Sequence, residues 1–141
     1  MVFLLTLHTD ICKSVLLVTK IIISLGSNAG QEQHMRLARG LLSNTFPDIV
    51  FSPLLWTSPV GMPCGAAMFQ NGLAVADTCL GAGEVQEKLK AMERLCGRRP
   101  GDKVQGVVVM DIDLLQYGEM RLHERDWQRP YVARLLAMLD L

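Results

Sequence analysis

The sequence predicts an α+β domain in which an antiparallel sheet carries helices on one face. Three observations lead there. Short runs rich in β-branched and apolar residues recur between residues 20 and 118; amphipathic stretches at helical spacing separate them; and a chain of 141 residues suits a single core.

The first run, "KIIISL" from Lys20, reads as a strand that ends at the turn "GSNAG". Leu37, Ala38, Leu41 and Leu42 then recur at helical spacing. "DIVFSPLLW" reads as a second strand and "MFQNGLAVAD" as a third. "AGEVQEKLKAMERLCG" reads as a helix with Val85, Leu89, Met92 and Cys96 on one stripe and Gly97 as its stop. "VVVMDIDLLQYG", residues 107–118, is the fourth strand. The order βαββαβ is that of a ferredoxin-like sheet with helices packed on one face. A last helix is expected from Pro130 to Met138, with proline in its first turn. The domain therefore covers residues 20–141, and residues 1–19, "MVFLLTLHTDICKSVLLVT", form an N-terminal extension. The extension is apolar, but it has no basic leader, and His8, Asp10 and Lys13 interrupt it, so neither an export signal nor a membrane anchor is expected.

The formal net charge is zero and a fifth of the residues are charged, a balance that does not point to nucleic acid. Cys12, Cys64, Cys79 and Cys96 form no C-x-x-C pair, so neither a zinc site nor a disulfide framework can be read from them. Reduced thiols in a cytoplasmic protein are the expectation.

Asp111 and Asp113 are the strongest site signal. Side chains two apart on a strand share a face, so these carboxylates stand side by side in an otherwise apolar run. Like charges so close disfavour joint ionisation, and a divalent cation would relieve them; two carboxylates with waters and phosphate oxygens are a usual cradle for Mg²⁺. An acidic pair at the solvent end of a strand is the plainer alternative. "GRRPGDK", residues 97–103, brings three cations and two glycines to the approach of that strand. Such a loop can close over polyphosphate, or simply cap the negative end of a helix. "GSNAG" fits neither the P-loop nor the dinucleotide fingerprint. Phe69 and Asn71, two apart at the start of a strand, could stack on and read a heterocycle, or fill the core and a turn. "HERDWQRPY", residues 123–131, crowds His123, the arginines Arg125 and Arg129, Trp127 and Tyr131 together. Guanidinium groups suit a polyphosphate, and ion pairs with Glu124 and Asp126 are the alternative.

Taken together these segments resemble 6-hydroxymethyl-7,8-dihydropterin pyrophosphokinases, enzymes of folate synthesis, over roughly residues 20–135. "IIISLGSNAG" is similar to the family's opening strand and turn, and "SPLLWTSPVG" to its S-x-x-x-x-T-x-P-x-G loop. "MFQNGLAVADT" is similar to its aromatic-x-Asn strand, "MERLCGRR" to its I-E-x-x-x-G-R helix end, and "MDIDLLQYG" to its D-x-D strand. The resemblance implies a monomer that takes ATP and a hydroxymethyl pterin, with no nucleic-acid or membrane partner. It implies that Asp111 and Asp113 hold two Mg²⁺ ions on the ATP phosphates, with Arg98 acting beside them on the transferring group. It assigns Phe69 and Tyr131 to the two faces of the pterin, Asn71 to its polar edge, and Thr57, Ser58, Pro59 and Val60 to a loop closing one side. Glu93, Arg98, His123, Arg125 and Arg129 match positions around ATP.

The chain departs from the family in one loop. Where R-W-G-P-R-T is usual, "VQGVVV" stands, so Val108 replaces an arginine and Gln105 a tryptophan, and Pro100 occupies a second arginine position. An arginine aimed at a phosphoryl transition state is worth roughly 10³-fold or more in rate. Two readings follow: a Mg-dependent pyrophosphokinase, or a relative that binds pterin or nucleotide without turnover.

Overall fold

The computed structural model describes residues 18–139, so the expectation for the N-terminal extension lies outside the described residues except at its end, where strand β1 (Thr19–Ser27) begins. Helix α1 (Gln31–Thr45) follows, then β2 (Val50–Phe51), β3 (Leu55–Thr57), β4 (Phe69–Thr78), α2 (Ala82–Leu95), β5 (Asp111–Tyr117) and β6 (Met120–Arg121). A short helix α3 (Glu124–Trp127) leads into α4 (Pro130–Met138), which opens on proline as expected.

The described residues form one six-stranded sheet in the order β2-β4-β1-β5-β6, with β3 pairing β4 beyond β2, and every pairing is antiparallel. The stretch expected as one strand, "DIVFSPLLW", is two. Pro53 has no amide hydrogen for a ladder, and the chain breaks step at Ser52 to Leu54. Ser52 keeps the break attached: its N–H donates to Leu73 O at 2.9 Å and its Oγ accepts from Leu73 N at 2.9 Å. Leu54 then tucks over Gly72, where a Cβ would stand only 2.6 Å from its side chain.

Alternation along the strands builds two cores. On one face Ile21, Ile23, Leu25, Ala74, Ala76, Ile112 and Leu114 meet Met35, Ala38 and Leu42 of α1 and Val85, Leu89 and Met92 of α2. The other face carries Ile22, Leu73 and Leu115, which pack against Val132, Leu135 and Leu139 at and beyond α4. The two crossover helices thus share one face, and the C-terminal helix adds a layer on the opposite one. It covers only part of that face, and the rest is open among the described residues.

Residues 107–110, expected within the fourth strand, approach it as a loop, and β5 starts only at Asp111. Asn28, buried just past β1, is the cause. Its Oδ1 accepts Val108 N–H at 2.7 Å, its Nδ2 donates to Gly106 O at 2.8 Å, and its own N–H donates to Val108 O at 2.9 Å. The side chain takes the hydrogen bonds that a paired strand would have made.

Among the described residues no helix is long and apolar enough to cross a membrane. Cys64 and Cys96 are free thiols as expected, whereas Cys79 is disulfide-bonded, which corrects the expectation of reduced thiols at that position.

Candidate active site

The register of three strands assembles the open part of the sheet. Gly26 of β1 stands between Asn71 of β4 and Asp111 of β5, and Ser24 between Leu73 and Asp113. Because opposed residues share a face, the two acids and Asn71 lie on the same side of the sheet as Leu73, beside the α4 layer and uncovered by it. Phe69, two residues before Asn71, joins them, opposite Thr57 of β3.

Gly26 makes this close packing possible. A Cβ there would lie 2.9 Å from Asn71 Oδ1 and 3.6 Å from the Phe69 ring, so any side chain would displace the amide. Asn71 Nδ2 donates to Thr57 Oγ1, which sets the amide's orientation and leaves Oδ1 above the sheet without a hydrogen-bond donor among the described residues.

These residues line one cleft. Thr57, Val60, Phe69 and Asn71 form one wall, Asp111 and Asp113 the middle, and Arg129 with Tyr131 the other wall. Arg98, Lys103 and Val108 enter from the loop between α2 and β5. Tyr131 also borders the second core, and burial pushes its phenol up to about 12.

A chain of charges runs behind the acids. Arg98 Nη1 donates to Asp111 Oδ1 at 2.8 Å and lies 3.3 Å from Glu93 Oε1; Lys90 Nζ donates to Glu93 Oε2 at 2.8 Å and to Asp113 Oδ1 at 2.9 Å. The two acids differ as a result. Burial raises the carboxyl of Asp111, but the Arg98 hydrogen bond and charge outweigh it and hold Asp111 below the usual range. Asp113 is pushed up by burial and by the charge of Asp111, against the pull of Lys90. One site therefore holds a firmly ionised carboxylate beside a more basic one.

Glu93 is buried behind β5 and does not line the cleft. Its Oε2 accepts Ile112 N–H at 2.7 Å, while Lys90 donates to Ile112 O at 3.2 Å, so both outward backbone groups of that residue are satisfied by α2. Burial raises the Glu93 carboxyl, opposed by these donors.

His123 reaches the site edge: its Nε2 is 3.8 Å from Asp113 Oδ1, and it is the one non-glycine residue at positive φ among those described. Trp127 anchors this segment by donating Nε1 to Leu115 O and Leu122 O, at 3.1 and 2.9 Å. Arg129 pairs with Asp126 at 3.3 Å on the cleft wall. Arg125, Ser58 and Pro59 are not among the cleft residues. Sequence reasoning missed Lys90, although it stands one helical turn before Glu93, and it missed Asp126 and Gly26 as cleft residues.

Two sets of three donors could take a metal ion among the described residues: Glu93, Asp111 and Asp113, and Asp113, His123 and Asp126, the donor atoms within each set lying within 4.8 Å of one another.

Comparison with known proteins shows the family. The family model "7,8-dihydro-6-hydroxymethylpterin-pyrophosphokinase (HPPK)" matches residues 22–141. The mitochondrial folate synthesis bifunctional protein of Pisum sativum is 30% identical over 131 residues, which is 86% of this chain and 25% of the relative. Its Arabidopsis thaliana counterpart is 33% identical over 132 residues, 86% of this chain and 23% of that protein. The 2-amino-4-hydroxy-6-hydroxymethyldihydropteridine pyrophosphokinase of Pseudomonas aeruginosa is 29% identical over 109 residues, covering 75% of this chain and 66% of the enzyme. The chain thus spans about a quarter of the length of the plant relatives it matches.

Proposed function

The chain belongs to the 7,8-dihydro-6-hydroxymethylpterin-pyrophosphokinase family, and we propose that it transfers pyrophosphate from Mg·ATP to 6-hydroxymethyl-7,8-dihydropterin. The observation that carries the reading is the meeting, on one uncovered part of a sheet face, of Phe69, Asn71 and Tyr131 with Asp111 and Asp113.

In this reading Phe69 and Tyr131 hold the planar pterin and Asn71 offers Oδ1 to its polar edge. The hydroxymethyl oxygen then forms a bond to the β-phosphorus of ATP, the bond from that phosphorus to the α–β bridging oxygen breaks, and AMP leaves while the hydroxyl proton passes to solvent. Holding the two substrates in line accounts for a large part of the rate, because little covalent chemistry is asked of the protein. Arg98, His123 and Arg129 border the phosphates, and Arg125 and Glu93 act from outside the cleft.

Asp111 and Asp113 fit the magnesium ions. They are hard oxygen donors, and the hydrogen bonds from Arg98 and Lys90 both go to Oδ1, which leaves Oδ2 of each acid for a metal. When bound, magnesium neutralises phosphate charge on the nucleotide. The proposal includes a monomer in the cytoplasm, resting on a site built within one chain and on a charge balance that favours neither nucleic acid nor membrane.

One observation favours binding without turnover: Val108, at a family arginine position, is buried and pinned by Asn28. The deciding experiment is AMP formation from ATP and the hydroxymethyl pterin with Mg²⁺, beside calorimetric titration of each ligand. AMP at an enzymatic rate supports the pyrophosphokinase; binding without AMP supports the second reading; neither binding nor AMP removes both.

A further inference from the structure

We infer that Lys103 binds the polyphosphate of the nucleotide, supplying from a different position the charge that this chain lacks at Pro100 and Val108. The inference deepens the proposed function and rests on it.

Among the described residues three cations line the cleft, and two are already committed. Arg98 is held by Asp111 at 2.8 Å and Glu93 at 3.3 Å, and Arg129 by Asp126 at 3.3 Å. The ammonium of Lys103 makes no hydrogen bond or ion pair with any of the described residues. A triphosphate entering this cleft meets three carboxylates, Asp111, Asp113 and Asp126, and the one lining cation not already neutralised by them is Lys103. Charge balance directs the anion to it.

The backbone beneath Lys103 is built to hold it there. Residues 103–105 form a single 3₁₀ turn, closed by Gly106 N–H donating to Lys103 O at 3.0 Å, with Gly106 at φ 83°, a conformation that favours glycine. Val107 N–H donates back to Asp102 O at 3.0 Å, and the Asn28 amide holds Gly106 O at 2.8 Å. The root is fixed while the four-carbon stem is free, and an ammonium on such a stem acts as a point charge that can follow a phosphate without the bidentate geometry arginine needs.

The test is calorimetric titration of inorganic tripolyphosphate with Mg²⁺ into the full chain, its Lys103→Met and Lys103→Arg variants, and Lys88→Met as an exposed control on α2. Lys103→Met should bind about tenfold more weakly, Lys103→Arg within a few-fold of the parent, and Lys88→Met like the parent, with pterin affinity unchanged in all. Parent-like affinity in Lys103→Met, or equal weakening in Lys88→Met, overturns the inference and leaves the pyrophosphokinase reading standing. Loss of pterin affinity along with polyphosphate in Lys103→Met marks a structural role and also overturns it. A parent chain that binds no tripolyphosphate overturns this inference together with the function it rests on.

Discussion

Glu93 Oε2 accepts the backbone N–H of Ile112 at 2.7 Å, which ties the last turns of α2 to the strand carrying both acids. The carboxylate also holds Lys90 and Arg98, so one buried side chain sets the position of each cation against its own aspartate. Glu93→Ala should therefore strand a backbone donor and unbalance two cations, costing about 3–5 kcal/mol by analogy with broken buried pairs. Glu93→Gln, which keeps an acceptor for Ile112, should cost less. Urea unfolding of the three proteins checks the order.

Asp111→Asn should abolish the thermal stabilisation produced by Mg·ATP while changing the ligand-free melting point little. Repulsion between the two acids is already met by Arg98 and Lys90, so removing one charge brings small relief, and loss of a partly exposed pair costs about 0–1 kcal/mol. Melting curves with and without Mg·ATP are the measurement, and full ligand-induced stabilisation in the variant would remove the metal assignment.

Phe69→Ala and Tyr131→Ala should each weaken pterin binding roughly ten- to a hundredfold, the scale of an aromatic stack on a base, with far less effect on nucleotide. Tyr131 borders the second core, so its variant should also lose stability, more than Phe69→Ala does. Pterin and ATP-analogue affinities measured beside unfolding free energies separate stacking from packing.

Gly26→Ala tests the close approach at the centre of the site. The added Cβ would sit 2.9 Å from Asn71 Oδ1, pressing on an amide that is bonded to Thr57. Pterin affinity should fall by about tenfold, the worth of one good hydrogen bond, while the melting point moves modestly. An unchanged affinity would show that Asn71 does not read the ligand.

The sequence carried the strands and helices because their signals are local. Ile21, Ile22 and Ile23 announce a strand buried on both faces, the stripe from Val85 to Cys96 announces a helix with one apolar side, and Pro130 marks the start of the last one. It also carried the pairing of Asp111 with Asp113, since residues two apart on a strand share a face whatever surrounds them. What it missed locally was the break at Ser52 to Leu54 and the loop before Asp111, where side chains of Ser52 and Asn28 take over backbone hydrogen bonds from partners far along the chain.

The site itself was decided by tertiary structure. Nothing within a few residues of Gly26 shows that Asn71 and Asp111 will flank it, because that adjacency comes from the register of two separate strand pairings. The same holds for charge. Arg98 and Lys103 look alike in "GRRPGDK", yet folding neutralises the first against Asp111 and leaves the second without an ion-pair partner among the described residues, since a cation's field depends on which carboxylates the fold brings within a few ångströms of it. Residue type and spacing determined which chemistry the chain can offer; the uncovered end of the sheet face, and the partners each charge meets there, determined where that chemistry is available.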